Sequence, residues 1–564
     1  MKSFSIKTLI TVIMVLGLPL LSHAKPVLFY TDIVSGPNSG GQNNAGVFVR
    51  AFGKGFGTTR GTSTVTIGGG QAANYPAWSD TEIAFQLGAN AQTGSIVVNS
   101  SSGASNALPF TVRSGRIFFI DDTSPSSTGT GTYADPWRSP ETFYDTAQPG
   151  DTAYLRAGTY SGVYGYGSGN ANLMMRKRAT SGGGYTASGT SAMPIAWLGY
   201  PGETALFSAP GPTGTTANVR GWLGNTTDRA PDWIVFGNLS FLAYNSCIGA
   251  GGTPGTGPLG WRIVNNRCQG LTRTTQLASG SIVPGADYAK VLGNYIYGGR
   301  TTNKLDHAIY SQACASEIEI AWNRIYDNNF GAGPLISINY ESDRCATGQY
   351  AGVASVHDNI VDATNYPSRG LYTFEQSYTP GDTVIPLTRV WNNVFINCGV
   401  DNYNGSIHIR DGAMEIFNNT FYNSRTYAVY IGGGGTATPD IPYVKIYNNI
   451  FHMRSDALAY YELDPPGTES LIRAEKNIYY GLGSYTGVID PSPINANPMF
   501  VNAAGLNFHL SAGSPAIQTG STSVEAYVAR DLDGFVRSRS TFDIGAYLYN
   551  SNVPNPPLNL RFVP

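Results

Sequence analysis

Residues 387–395 read LTRVWNNVF, residues 413–421 read AMEIFNNTF and residues 443–451 read YVKIYNNIF. In each, a β-branched residue (Val390, Ile416, Ile446) stands three places before an asparagine (Asn393, Asn419, Asn449), and a phenylalanine (Phe395, Phe421, Phe451) stands two places after it. Followed outward, the asparagines are Asn238, Asn266, Asn294, Asn323, Asn359, Asn393, Asn419, Asn449 and Asn477, at steps of 28, 28, 29, 36, 34, 26, 30 and 28 residues. The preceding column continues as Val235, Ile263, Val291, Ile320, Val356 and Ala474, and the following one as Ser240, Cys268, Ile296, Ile325, Val361 and Tyr479. Self-similarity at such a period marks a solenoid, in which each repeat buries its apolar residues against the next. Coils stacked about 4.8 Å apart would turn both columns into the core. The asparagines read as a structural side-chain ladder at a bend, since Asn tolerates left-handed backbone.

Composition agrees with an all-β chain. Of 564 residues only 13% are charged, while 69 glycines, 33 prolines and 35 tyrosines supply turn and strand formers. The length exceeds one ordinary domain. A net charge of -2 gives no basic surface for nucleic acid, so no nucleic-acid partner is expected. Residues 1–24 carry Lys2 and Lys7, an apolar run and Ser22-His23-Ala24, the pattern of a secretory signal cut after Ala24. No later stretch is apolar enough to span a bilayer, so the expectation is an exported monomer whose cysteines can oxidise. Five cysteines leave at least one without an internal partner.

Residues 25–114 alternate apolar and polar positions in short runs (VFVRAF, TVTI, EIAFQL, SIVV) between glycine and asparagine turns, which predicts a β-sandwich. Within it GGQNNAGVFVRAFGKGFG, with Gly53, Gly55, Phe56 and Gly57, resembles the IPT/TIG family of immunoglobulin-like domains. That resemblance implies a spacer or binding module without catalysis. Residues 116–162, from RIFFIDD through PGDTAYL to AGTYSG, resemble the opening of secreted right-handed parallel β-helix proteins of the pectate-lyase-like superfamily. The segment SPETFYDTA supplies a short capping helix, started by Ser139 and Pro140 and stopped by Pro149-Gly150. The β-helix then spans 115–550, and its closing segment, from NPMFVNAAGLNFHL to FDIGAYLYN, resembles the part of such proteins that covers the open end of the core. His509 alternates with Phe508 and Leu510 there and reads as structural. Residues 551–564 read as an extended tail.

The steps of 36 and 34 residues place inserted loops between Asn323 and Asn393, and loops on one face of a solenoid often bind. The strands before them align in phase with Ile309, Ile336, Leu371, Ile407 and Val429 inward. Outward come Tyr310 with Gln312, Ser337 with Asn339, Tyr372 with Phe374, His408 with Arg410, and Tyr430. Such a row suits a linear sugar polymer, with aromatic faces for pyranose rings and polar groups for hydroxyls and carboxylates. In β-elimination on a uronate a base removes the proton beside the carboxylate, a cation neutralises that carboxylate, and an acid protonates the leaving oxygen. Arg410 is the candidate neutraliser, His408 or Tyr372 the base and Tyr310 the acid. β-Helix lyases of the resembled superfamily often use Lys or Arg as base with calcium held by carboxylates. Lys304, beside Asp306 and His307, and the pair Glu341 and Asp343 are the positions where such chemistry would sit here, which makes calcium the one cofactor considered.

Asn339, Glu341, Phe374, Glu375, Asp411 and Tyr430 complete the row as substrate-binding candidates. Three functions fit: a lyase acting on an acidic polysaccharide, a β-helix glycoside hydrolase using two of Glu341, Glu375 and Asp411, or a carbohydrate-binding or adhesive surface protein without catalysis. The first ranks highest, because the runs typical of β-helix polygalacturonases are missing. Cys314 and Cys345 follow the outward strand in adjacent coils and form the expected disulfide. Cys268 falls in a core column and reads as a small hydrophobe, with Cys247 and Cys398 unassigned.

Overall fold

The computed structural model describes residues 25–551 apart from 126–127, 166–170, 176–186, 209–216, 222–229, 244–245, 251–257, 271–278, 302, 314–316, 341–351, 376–385, 401–403, 433–440, 465, 467–468, 484 and 486–488. The leader at 1–24, nearly all of the tail, Glu341, Asp343, Cys314 and Cys345 therefore lie outside the described residues.

The repeat folds as a parallel β-helix. Among the described residues three parallel sheets run the length of the solenoid, of twelve, eleven and eleven strands, and each strand pairs with its counterpart in the next coil. The first sheet extends from Ile117–Ile120 to Ile472–Glu475, the second from Gly158–Tyr160 to Ile478–Tyr480 and the third from Tyr164–Gly165 to Ala459–Asp464. From Ile263 and Cys268 onward both expected columns line the interior; one coil earlier the inward places belong to Phe236 and Phe241, not to Val235 and Ser240. Phe395, Phe421, Phe451 and Tyr479 stack ring on ring at 5.2, 4.9 and 5.6 Å.

The ladder occupies the corner between the first and second sheets. From Asn266 to Asn477 every asparagine is fully buried. The Nδ2 of each donates to the Oδ1 of the next, at 3.1, 3.0, 3.0, 2.9, 3.0, 3.0 and 3.0 Å. At the last rung Asn477 donates instead to Asp490 Oδ2 (2.9 Å), so a carboxylate stands where the next amide would. Two expectations need correction. Asn238 is not the first rung: Phe236 pairs with Ile263, so the register puts Leu239 opposite Asn266, and the Leu239 N–H donates to Asn266 Oδ1 (3.1 Å). The left-handed bend also falls on the residue before each ladder asparagine (Asn265, Gly293, Trp322, Asp358, Asn392, Asn418, Asn448, Lys476) rather than on the ladder residue itself. A left-handed residue turns its side chain outward, and this outer row holds what docks on the corner. Asn392 donates to Arg530 O (2.7 Å), Asn418 to Asp543 O (2.8 Å) and Asn448 to Ser521 O (2.8 Å). The closing segment thus lies along the side of the helix, while Tyr485 packs at the last coil, its ring stacked on Tyr479 at 4.4 Å. At the other end the expected helix forms as Pro140–Thr146, with Ser139 Oγ accepting from Glu141 N (3.1 Å) and Phe143 packed edge-on against Trp197 at 4.6 Å.

Residues 27–112 form an antiparallel, sandwich-like unit. Its core runs without a break into the outer face of the first sheet, where Val47, Phe48 and Phe119 cluster with Tyr154, Leu198, Val235 and Leu292. Tyr154 Oη accepts from Phe48 N (2.7 Å) and donates to Phe48 O (2.8 Å). Asn238, displaced from the ladder, donates to Asp32 Oδ2 (2.8 Å). Gly293 marks the tightest approach: its φ is +65°, and a Cβ there would stand 1.7 Å from the Tyr30 hydroxyl. Gly293→Ala therefore meets both a left-handed backbone and a direct clash, and the expected cost is about 3 kcal/mol of unfolding free energy. Limited proteolysis should show the sandwich released from the helix in this variant.

A disulfide joins Cys247 and Cys268, whose Cα atoms lie 5.9 Å apart. This corrects the reading of Cys268 as a plain hydrophobe: it faces the core and is bridged there. Cys398 is a buried free thiol whose pKa burial pushes up.

Candidate active site

Five strands of the third sheet carry the predicted row: Asp306–Ala313, Pro334–Tyr340, Arg369–Glu375, Gly405–Ile409 and Tyr427–Gly432. The register aligns Ile309, Ile336, Leu371, Ile407 and Val429 in one column, as the alternation required, and all five are fully buried. Tyr310, Ser337, Tyr372, His408 and Tyr430 follow in the adjacent column, which faces outward. Facing outward is not the same as being exposed. Ser337 and Asn339 are fully buried, and His408 is 6% exposed.

Part of the row condenses into a cluster. The rings of Tyr372 and Phe374 stack at 5.2 Å, and the His408 ring lies 4.7 Å from Tyr372 on one side and 4.7 Å from Tyr430 on the other. The Arg410 guanidinium sits 5.9 Å from the centroid of Phe374 and close enough to Tyr372 to act on the pKa of its phenol, with its Nε 3.7 Å from Asp411 Oδ2. A second cation, Arg369, lies 5.1 Å over the Tyr372 ring. Alternation concealed it: position 369 has the parity of inward Leu371, but it begins the strand, where its long side chain is free to reach Tyr372. Asp464, which accepts a hydrogen bond from the Tyr430 hydroxyl (2.8 Å), was also missed, since it ends a strand two positions beyond Glu462, the backbone partner of Tyr430.

Hydrogen bonding sets the state of His408. Its Nε2 lies 3.1 Å from Gly432 O, and because a carbonyl only accepts, Nε2 carries the proton. Nδ1 is then a bare acceptor, buried and with no partner among the described residues. Burial, followed by the positive charges of Arg369 and Arg410, pulls the imidazole pKa down to about 3, so the ring is neutral at physiological pH. Tyr372 is pulled both ways: burial raises its pKa and outweighs the lowering by Arg410 and Arg369, which leaves the phenol protonated.

Other candidates stand apart. Tyr310 accepts from Asn339 Nδ2 (3.0 Å) and lies 5.0 Å from the ring of His307; Ser337 and Tyr372 intervene in the column before His408. Lys304 is exposed and precedes Tyr310 by six residues, roughly 20 Å along an extended chain. The backbone of Glu375 pairs with Tyr340, and its side chain lies outside the described residues. Among the described residues no group of three or more His, Cys, Asp or Glu side chains is arranged to hold a metal ion.

No family model matches the chain, and a search of curated proteins finds no match. Solved structures resemble it in fold. Pectate lyase Pel9A is 14% identical with a TM-score of 0.44, the match covering 78% of this chain and 97% of that one. The complex of XylC with xylose is 11% identical at a TM-score of 0.39, covering 76% and 98%. A rhamnogalacturonan lyase is 13% identical at 0.30, covering 76% and 96%.

Proposed function

We propose that the protein is an exported lyase that cleaves an acidic polysaccharide by β-elimination on the outer face of the third sheet. The observation that carries this reading is the placement of two guanidinium groups, Arg369 and Arg410, around the adjacent rings of Tyr372 and His408. Elimination next to a carboxylate needs a cation to stabilise the carbanion, a base and an acid on neighbouring groups, and this cluster holds all three. Arg410 and Arg369 neutralise the substrate carboxylate. His408 takes the proton at Nδ1, and Tyr372, protonated in the resting protein, delivers its phenolic proton to the leaving oxygen. A bound carboxylate would offset the two positive charges that depress His408 and so raise its basicity when substrate is present. The aromatic column along successive coils gives a polymer its track.

A hydrolase would need two free carboxyls across the bond. Asp411 is near Arg410 and Asp464 accepts from Tyr430, which leaves Glu462, the backbone partner of Tyr430, as a single carboxyl rather than a pair. Export is supported by the leader-like residues 1–24 and by the Cys247–Cys268 bridge, which suits an oxidising compartment. The N-terminal sandwich is proposed as an IPT/TIG-like module that braces the first sheet.

The test incubates residues 25–564 with alginate, pectate and glycosaminoglycans, with calcium or with chelator, and follows the ultraviolet absorbance of an unsaturated product. An unsaturated end that is lost in Arg410→Gln is the expected result. Reducing ends without unsaturation would mean a hydrolase, and retention on a polysaccharide column without any product would mean a binder. Activity that disappears with chelator would add calcium to the site.

A further inference from the structure

Away from the third sheet, a cavity of about 450 Å³ lies where the N-terminal sandwich, the corner of the first and second sheets and the C-terminal segment meet. Its walls include Tyr30 and Phe52 from the sandwich, Trp322 and Arg324 from one coil, and Asn507 from the closing segment. The volume falls within the range of small-molecule sites, about 300 to 1,000 Å³.

Its polar lining is unbalanced. The carboxylates already have partners: Asp533 is bonded by Lys54 (2.7 Å) and His509 (2.8 Å), Glu82 by Arg50 (3.1 Å), and Asp80 accepts from Gly57 N (2.9 Å). Two donors do not. Arg324 Nη1 is buried and has no hydrogen-bond partner among the described residues. Asn507 is 5% exposed, and its Oδ1 is occupied by the backbone N–H of His509 (3.1 Å) and by His509 Nδ1 (2.7 Å), while its Nδ2 is left unpartnered. Native proteins rarely leave buried donors unmet, so two in one cavity point to an acceptor-rich ligand. The aromatic side of the cavity restricts the ligand further. Trp322 lies 5.0 Å from Tyr30 and 6.1 Å from Phe29, and Tyr30 is 4.9 Å from Phe52, giving flat apolar faces of the kind that pack against the C–H face of a pyranose.

We propose that this junction cavity is a second saccharide site that takes a single uronate unit, free or at a chain end. Arg324 and Asn507 receive the carboxylate, and Trp322 and Tyr30 receive the ring. A ligand there touches all three parts of the molecule at once, so its binding also fastens the sandwich and the closing segment to the helix. The site is separate from the third-sheet cluster and does not depend on the lyase reading.

The test is titration of residues 25–564 with glucuronate, galacturonate and glucose, followed by calorimetry and tryptophan fluorescence. The expected result is binding of at least one uronate and not of glucose, weakened about tenfold or more by Arg324→Gln. Asn507→Asp provides a variant of the same shape: it replaces the free donor with a negative charge and should also weaken the uronate about tenfold or more, with the circular dichroism spectrum retained. Absence of uronate binding, equal binding of glucose, or affinity that survives both Arg324→Gln and Asn507→Asp would overturn the proposal. Affinity lost in Arg410→Gln but not in Arg324→Gln would place the bound sugar on the third sheet, and would equally overturn it.

Discussion

Asn359→Ala should lower the unfolding free energy by about 4 kcal/mol, the largest stability loss of any single polar substitution considered for this chain. Asn359 sits in the middle of the ladder. Its Oδ1 accepts from both Asn323 N and Asn323 Nδ2 (3.0 Å each), and its Nδ2 donates to Ile320 O (2.8 Å), His357 O (2.9 Å) and Asn393 Oδ1 (2.9 Å). Alanine leaves these partners in a site that water does not reach, and each unmet buried group costs about 1 to 3 kcal/mol. Urea unfolding followed by circular dichroism measures the loss. Asn238→Ala is the internal comparison, because it removes two part-buried bonds, to Asp32 Oδ2 (2.8 Å) and from Asn265 Nδ2 (2.9 Å), and should cost no more than about 2 kcal/mol. Equal losses at the two positions would put Asn238 back into the ladder and refute the register described above.

The second large effect is on chemistry. His408→Gln should reduce turnover on the polymer that the wild type cleaves by roughly 10² to 10⁴-fold, the usual contribution of a positioned base, with a much smaller change in KM. Glutamine retains an N–H for Gly432 O but offers no basic nitrogen. The same residue makes stability depend on pH. The folded pKa of His408 is depressed to about 3, below the ordinary value of 6.5, so the unfolded chain takes up the proton first. Its contribution is complete above about pH 6.5 and falls by about 1.4 kcal/mol per pH unit below that, until the folded ring itself protonates. His307, depressed to about 4 mainly by burial, acts in the same direction. His357 acts in the opposite one: Asp358 and Glu319 overcome its burial and raise it to about 9, so its contribution is full below about pH 6.5 and fades as pH rises through 9. The difference in acid sensitivity between wild type and His408→Gln isolates the one histidine. If denaturant midpoints at pH 7 and pH 5 shift equally in both proteins, His408 is not the buried neutral ring described here.

The architecture was legible because a solenoid repeats its physics. An interior column must be apolar in every coil, so Val390, Ile416 and Ile446 announce one sheet, and Phe395, Phe421 and Phe451 announce the next. The outward column of the third sheet was readable for the same reason, since a strand alternates faces at every residue. Legibility failed where the local rule was incomplete. Asn238 fits the spacing but not the register, because its coil is offset by one residue and the outer position bonds Asp32. Arg369 has inward parity, yet it begins its strand, where a long side chain reaches the neighbouring face. Cys247 could not be paired with Cys268 by spacing, because 21 residues of sequence say nothing about which corners of a coil they occupy.

The sequence by itself therefore determined the solenoid, its interior columns, the capping helix and the chemical character of the outward row, since all of these follow from short-range periodicity and local turn chemistry. Only the tertiary structure decided which of those outward side chains meet. It buried His408 between two tyrosines and brought Arg369 over Tyr372, leaving Lys304 in the turn before the first of the five strands. It also created the cavity shared by Tyr30, Arg324 and Asn507, residues hundreds of positions apart. Protonation states and cavities depend on burial and charge summed over the whole surroundings, and no stretch of sequence contains its own surroundings.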